Sequence, residues 1–378
     1  MSDRGSERRG PSPLVRSAPT AVPADGGFPV RSPKELVVAS GKGGTGKTSV
    51  VAALASLAGP CVLADCDVDA ADLHLVLEPK VSHCADFTGG SKARINPALC
   101  TACGTCQELC RFDAIRFDGP AGNGDRPPWC AAPERPFGQE ASVPSSLRLP
   151  RTFRVEPTAC EGCGVCVDYC ADQAIEFAPA VSGQWFVSET RCGPMVHARL
   201  GIAAENSGKL VTQVRRTAQQ VALNQGLELI LCDGSPGIGC PVIASLTGAS
   251  LVLFVVEPTV SGVHDFRRIA QLAARLGVPG VLAVNKADLN RPMADELEAT
   301  AVQRAIVPAG RIPYDPEVTR AQIARKTVVE ASDGPAAHAI RQVWAVVEQR
   351  LGVCAPSESS GLVQIVNPKD KQVFAFEP

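Results

Sequence analysis

An apolar run, a glycine-rich loop and a small-residue helical pattern follow one another near the start of the chain, and that succession constrains the fold most. Residues 35–40 read ELVVAS, 41–48 read GKGGTGKT, and 48–57 are small and apolar all round. A short apolar run without polar alternation suits a strand buried on both faces. A helix apolar all round suits burial. The loop between them fits G-x-x-x-x-G-K-[ST] in the strand-then-helix context that supports the motif. Its glycines let backbone N–H groups wrap phosphates, and the helix N-terminus adds a positive dipole end. Gly41, Gly43, Gly44, Thr45, Gly46, Lys47, Thr48 and Ser49 are therefore expected to hold a nucleotide. Lys47 falls to the β- and γ-phosphates, and the Thr48 hydroxyl to Mg²⁺.

The same α/β rhythm recurs downstream. Strands are expected at 60–65, 227–232, 251–256 and 280–285, and helices near 262–276, 293–306 and 336–351. A further helix opens near Ser207, capped by Asn206 or Ser207, with Leu210, Val211 and Val214 inward. Strands alternating with helices mean βαβ units and a mostly parallel sheet flanked by helices. Regularity is expected to stop between about 86 and 190, where the cysteines concentrate. The expected organisation is a loose tail over 1–33, a nucleotide domain in two parts (34–85 and 191–355), an insert over 86–190, and a tail over 356–378. Residues 119–150 hold seven prolines and read as an irregular loop.

Of sixteen cysteines, eight fall in two runs of equal spacing. One is Cys100, Cys103, Cys106 and Cys110; the other is Cys160, Cys163, Cys166 and Cys170. The x2, x2, x3 spacing is the bacterial run that holds [4Fe–4S] clusters, in which the fourth cysteine serves the other cluster of a pair. One cluster then takes Cys100, Cys103, Cys106 and Cys170, and the second takes Cys160, Cys163, Cys166 and Cys110. The flanks CRFDAI and CADQAIEF repeat as well, so the insert reads as two similar halves of an α+β unit. Arg111 and Ala171 stand where a proline usually follows the fourth cysteine. Zinc is the competing reading, but structural zinc sites usually pair two Cys-x2-Cys knuckles. Cys66, Cys130, Cys192, Cys232 and Cys240 are taken as buried thiols, and His197 as a hydrogen-bonded structural histidine.

A net charge of −2 gives no electrostatic case for nucleic acid. No run approaches about 18 uninterrupted apolar residues, so no membrane span is expected. Residues 1–33 lack the apolar core of a secretion signal, and a cytoplasmic protein with reduced thiols is the expectation.

The form KGGTGKT resembles the deviant phosphate loop of the MinD, ParA and Mrp ATPases and of the nitrogenase iron protein. From about 34 to 351 the chain resembles MinD-superfamily P-loop ATPases carrying an inserted two-cluster, bacterial-ferredoxin-like domain. The resemblance includes 65–75 (DCDVDAADLHL) and 193–211 (GPMVHARLGIAAENSGKLV). It implies ATP, Mg²⁺ and two [4Fe–4S] clusters as cofactors. It also implies a nucleotide-dependent homodimer in which Lys42 reaches the partner's nucleotide. Asp65 and Asp67 end a strand beside the loop, where carboxylates hold Mg²⁺ through water or orient the attacking water; the resemblance gives Asp67 the water. A helix-capping role stands beside that reading. Asp233, followed by Gly-Ser-Pro-Gly, resembles the Mg²⁺-side aspartate of D-x-x-P-G. Asn285, in Asn285-Lys286-Ala287-Asp288, resembles a base-recognition residue, and Asp288 reads equally as a turn residue. For 193–211, a plain linker and a contact between cluster module and switch region remain open.

Three functions fit. The first is ATP binding and hydrolysis coupled to cluster electron transfer or docking on a redox partner. The second is a metallocluster assembly or carrier protein of Mrp type, and the third is a spatial organiser of MinD or ParA type. The last 26 residues show no basic amphipathic pattern for a membrane.

Overall fold

The structure is a computed structural model that describes residues 32–118, 152–201 and 207–353. The expected loop at 119–150, Cys130, Asn206, residues 1–31 and the C-terminal tail lie outside the described residues.

The chain begins with β1 (Lys34–Ala39), α1 (Lys47–Leu57), β2 (Val62–Asp65) and α2 (Leu73–Leu77). A long strand β3 (Lys80–Ile95) leads into α3 (Thr105–Leu109) and β4 (Ile115–Phe117). Next come β5 (Phe153–Val155), α4 (Val165–Asp168), the long returning strand β6 (Ile175–Thr190), and β7 (Gly193–Leu200). The remainder alternates through α5 (Ser207–Gln225), β8 (Leu229–Asp233), α6 (Cys240–Leu246), β9 (Leu251–Val256), α7 (Val260–Arg275) and β10 (Gly280–Asn285). It ends with α8 (Arg291–Gln303), β11 (Val307–Ile312), α9 (Pro316–Ile323), α10 (Val328–Ala331) and α11 (Pro335–Leu351).

Among the described residues one sheet runs β11-β10-β9-β1-β8-β2-β7-β6-β3. It is parallel from β11 to β7, and β6 and β3 close one margin antiparallel. This is an α/β fold with a mostly parallel central sheet flanked by helices. The apolar strands are buried on both faces, as parallel sheets require. Val37 and Ala39 of β1 join one core with Leu210 and Val214 of α5, Phe266 of α7 and Leu297 of α8. Leu36 and Val38 join the opposite core with Val51 of α1 and Ile340 and Val343 of α11. The strands read in advance at 251–256 and 280–285 stand at those residues.

One ion pair is sunk in this core. Arg215 of α5 bonds both carboxylate oxygens of Glu35 on β1, at 2.6 and 2.7 Å. Burial alone would lower the guanidinium's pKa, but the Glu35 bonds hold it above its ordinary value. Arg215 also donates to the Ala244 and Thr247 carbonyls at the end of α6.

Regularity does not stop at residue 86. β3 and β6 pair along their length as a two-stranded ribbon that runs through the expected boundary at 86 and ends at the one at 190. Glycines at 89 and 90 and polar residues throughout hid the strand pattern: one surface of the ribbon is solvated, and only Phe87 and Trp185 enter the main core. The stretch 193–200, read as a possible linker, is strand β7, parallel to β2. Its last residue, Leu200, pairs with Gly183 of β6. From Gly183 the ribbon continues eight residues to Ile175, which at about 3.3 Å per residue carries its tip roughly 26 Å further.

The tip is a repeat. Gly104 and Gly164 precede α3 and α4 with φ of 83° and 78°. Ala114 N–H meets Cys110 Sγ at 3.4 Å, and Ala174 N–H meets Cys170 Sγ at 3.3 Å. Asn96 donates to the Ala174 carbonyl and Glu156 to the Ala114 carbonyl, each at 2.7 Å. Its apolar centre is small: Ala93, Ile95, Ile115, Phe153 and Ile175.

Candidate functional site

The phosphate loop joins the C-terminal end of β1 to α1, at the sheet edge where β2 and β8 also end. Two of its glycines are fixed by close approach. A Cβ at Gly41 would strike the Asp265 side chain and backbone in α7, and one at Gly46, where φ is 82°, would strike the Asn285 amide. Lys47 Nζ bonds Asp233 Oδ1 and stands 3.6 Å from Asp67 Oδ2. Thr48 donates its hydroxyl to Asp233 Oδ2 at 2.7 Å. Asp233 therefore engages both loop side chains assigned to phosphate and Mg²⁺. Burial works to lower the Lys47 pKa, but Asp233 and the other carboxylates more than offset it, so the ammonium is held above its ordinary value.

Asp65 lies directly across from Asp233 in the β2–β8 register. Burial, then the Asp233 charge, push its pKa well above the usual carboxylate range. Its two oxygens accept the N–H groups of Asp67 at 3.1 Å and Leu73 at 3.3 Å, so Asp65 shapes the loop and holds the start of α2. Asp67 reaches the cavity itself, and burial raises it to about 6 against the opposing Lys47 charge. The loop after Asp233 is laced to its neighbours. Gly234 donates to the Val38 carbonyl at 2.8 Å and Gly237 to the Ser40 carbonyl at 3.0 Å. Ser235 donates to the Cys66 carbonyl at 2.5 Å.

The cavity these residues border is about 690 Å³. Within the described residues, Thr45 Oγ1 is a buried hydroxyl with no hydrogen-bond partner. Asn285 donates to the Thr45 carbonyl at 2.8 Å and accepts Lys286 N–H at 3.1 Å, so it braces the phosphate loop while lining the cavity. Asp288 accepts Tyr314 N–H at 2.6 Å, the turn role. Ser49 accepts from Gln322 of α9 at 2.8 Å. Pro313, Tyr314 and Val318 form a wall that no motif announces. They follow β11, a short strand with Pro308 and Gly310 in it, and only the folded sheet brings them to the loop.

Lys42 points away from its own phosphate loop. Its Nζ lies 3.5 Å from Glu257 Oε2 and 3.4 Å from the hydroxyls of Thr259 and Ser261. Glu257, which also pairs with Lys286, had no sequence signal beyond following a strand.

The eight spaced cysteines surround two small pockets at the ribbon tip. Cys100, Cys103, Cys106 and Cys170 line one, beside Ile95 and Phe153. Cys110, Cys160, Cys163 and Cys166 line the other, beside Val155 and Phe177. Burial pushes the Cys106 thiol up to about 12, with Cys100 and Cys103 adding to it. Burial also raises Cys166, with Cys160, Cys163 and Cys110 adding. Among the described residues, no three or more His, Cys, Asp or Glu side chains gather as ligands of a single metal ion.

The single cysteines differ among themselves. Cys66 and Cys232 are fully buried, and Cys232 Sγ donates to Glu35 at 3.2 Å. Cys192 is only half-buried, and Cys240 is exposed because it opens α6 at the sheet edge. His197 shares a 2.9 Å hydrogen bond with Ser188.

Against known proteins, the family described as CbiA, the CobQ/CobB/MinD/ParA nucleotide binding domain, matches residues 36–328. The chain belongs to this family. An uncharacterized protein of Methanocaldococcus jannaschii is 28% identical over 260 residues, covering 68% of this chain and 79% of that protein. An uncharacterized ATP-binding protein of the same organism is 29% identical over 127 residues, 33% of this chain and 47% of that protein. Among solved structures, the septum site-determining protein MinD with Mg-ADP from Pyrococcus horikoshii covers 86% of this chain and 99% of its own, at 15% identity and a TM-score of 0.48. Family membership makes this a nucleotide-binding protein, and the 690 Å³ cavity over the phosphate loop is its candidate nucleotide site. Among the described residues no helix is long and apolar enough to cross a membrane.

Proposed function

We propose that this member of the family is an ATP-hydrolysing switch whose nucleotide state governs two [4Fe–4S] clusters on the β3–β6 ribbon, for electron transfer to a partner protein or docking on it. The observation that carries the reading is the sorting of eight cysteines into two rings. Each ring takes three thiols from one run and the last thiol of the other, at the tip of a strand ribbon continuous with the nucleotide-binding sheet. That is the exchange of fourth ligands known for two-cluster ferredoxin sequences. The donor set is all sulfur and the pocket walls are apolar, both suited to such a cluster. When bound, each cluster supplies one-electron redox chemistry.

The chain's own residues then divide the nucleotide work. Lys47 and Thr48 exchange Asp233 for phosphate oxygens and Mg²⁺. Thr48 and Asp233 hold the metal, with Asp65 fixing the loop behind them, and Mg²⁺ neutralises charge on the phosphates. Asp67 orients the attacking water. Asn285 keeps the phosphate loop in shape and borders the base. Lys42 leaves Glu257 to reach the nucleotide of a second copy, so ATP joins two chains. The Ser235–Cys66 bond ties the loop that senses the γ-phosphate to the loop carrying Asp67. Leu200 N–H meets the Val68 carbonyl at 3.4 Å, which ties that loop to β7 and the ribbon. Loops of this kind rearrange when the γ-phosphate leaves.

A second reading, ATP-gated delivery of a metallocluster, draws on the exposure of Cys103 and Cys163, one thiol in each ring. The family is also compatible with a spatial organiser.

The deciding experiment is EPR of anaerobically purified, dithionite-reduced protein with and without MgATP, beside Lys47→Ala. Two interacting cluster signals that change with MgATP only in the unsubstituted protein are expected. Unchanged signals, with transfer of iron to an apo-acceptor, would favour delivery. Absence of any iron–sulfur signal after reconstitution would sink both cluster readings.

A further inference from the structure

Two stretches with no assigned part in nucleotide chemistry, 69–75 and 193–200, meet beside the nucleotide cavity. With the foot of the ribbon they enclose a second cavity of about 630 Å³, close in size to the first, and Leu75 lines both. One side is flat and apolar. Phe186 of β6 and His197 of β7 lie nearly parallel, with ring centroids 5.0 Å apart and planes 20° apart, and Leu200 adjoins them. Burial, with His74 and Arg199 nearby, lowers the His197 pKa to about 4, so this ring is uncharged near neutral pH. His74 also lines the cavity.

The charged groups on the walls do not all cancel. Glu78 and Arg325 neutralise each other at 2.5 Å. Arg199 of β7 and Asp69, two residues past Asp67, also face the cavity. Among the described residues neither forms an ion pair, with the other or with any third group. A pocket with one open cation, one open anion and an apolar wall is matched by a molecule that carries both charges and an apolar body. Charge-assisted hydrogen bonds at both ends would then select it over singly charged analogues.

We propose that this cavity binds a small zwitterion of amino-acid type with a planar apolar side chain. Its carboxylate lies on Arg199, its ammonium on Asp69 and its side chain on the Phe186–His197 face. The ligand would touch the loop that carries Asp67 and the strand that adjoins the ribbon, so it is placed to sense or bias both ends of the molecule.

The test is calorimetric titration of the full chain without nucleotide, so its outcome is independent of the nucleotide reading. The probes are L-phenylalanine, 3-phenylpropionate, which lacks the ammonium, and 2-phenylethylamine, which lacks the carboxylate. L-Phenylalanine should bind saturably, and each analogue about tenfold or more weakly. Arg199→Gln should weaken phenylalanine and phenylpropionate but spare phenylethylamine. Asp69→Asn should weaken phenylalanine and phenylethylamine and spare phenylpropionate. Both residues are exposed, so both variants should fold, checked by an unchanged melting temperature. No saturable binding of L-phenylalanine, equal affinity for the three probes, or indifference to both substitutions would overturn the proposal.

Discussion

The nucleotide end and the cysteine end of this molecule are held together by different physics. At the nucleotide end, strands apolar on both faces bury two cores, and the charged groups of the site are already paired: Lys47 and Thr48 with Asp233, Lys42 and Lys286 with Glu257, Arg215 with Glu35. At the cysteine end, five buried apolar residues and two very short helices surround eight thiols. Four of the five lie on strands of only three residues or at the tip ends of the ribbon strands. A core of that size covers little of the entropy of ordering the chain around it. The first region should therefore fold without its ligand, and the second should draw much of its order from what the thiols bind.

The strongest challenge to that contrast is Arg215→Met. It leaves Glu35 charged and buried with its main partner gone, and breaking a buried pair this way costs about 3–5 kcal/mol. Urea unfolding followed by tryptophan and circular dichroism should show that loss in the main transition. A change near zero would mean water reaches Glu35, and that the sheet core is less closed than its burial indicates.

Lys47→Ala addresses the site rather than the fold. Removing a preorganised cation of this kind should lower kcat for ATP hydrolysis by about 10²–10³-fold. Under the proposed cluster reading, iron content should stay at the unsubstituted level, because Lys47 has no contact with the ribbon tip. Loss of iron together with activity would show the two ends to be one cooperative unit.

Under the proposed cluster reading, iron removal by anaerobic chelation makes the complementary test. Amide hydrogen exchange should speed up at 93–118 and 152–177 while the strands β1, β8 and β9 keep their protection. Equal protection at the tip with and without iron would show that its small core suffices.

A smaller effect is expected from Asn285→Ala, which leaves the Thr45 carbonyl without its donor. A cost of about 1–3 kcal/mol in stability is the usual range for an orphaned buried group, with weaker MgADP binding by isothermal titration. Unaltered nucleotide affinity would show the brace to be dispensable once phosphate fills the loop.

The smallest effect is a pH dependence. Burial raises Asp67 to about 6 in the nucleotide-free protein, above its unfolded value. Between the ordinary carboxylate range and pH 6 the folded state then binds more protons than the unfolded one, so stability falls as pH rises through that window. Asp67→Asn should remove this slope, so its melting temperature should gain on the unsubstituted protein from pH 4 to 7. Parallel melting curves for the two proteins would mean that Lys47 holds the Asp67 carboxylate charged throughout.

The sequence by itself determined the parts whose chemistry is local. A phosphate loop is one continuous segment, and its spacing states which backbone and side-chain groups converge. Apolar runs buried on both faces announce β1, β2, β8, β9 and β10 without help from the rest of the chain. The repeated cysteine spacing carries its own symmetry, and two small pockets at the ribbon tip divide the eight thiols between them. Tertiary structure decided what depends on partners distant in sequence. β3 and β6 are strands because each supplies the other's hydrogen bonds across about a hundred residues, and their polar, glycine-bearing sequences encode no strand alone. The stretch 193–200 became a strand because β2 and β6 stand on either side of it. Asp65 and Asp67, two residues apart and alike in type, were parted by burial: one carboxylate turns inward to hold backbone N–H groups, the other opens to the cavity. Lys42 rests on Glu257, and Arg199 faces Asp69's cavity with no ion pair among the described residues, for the same reason. A side chain's neighbours come from packing, and packing joins residues that the sequence keeps apart.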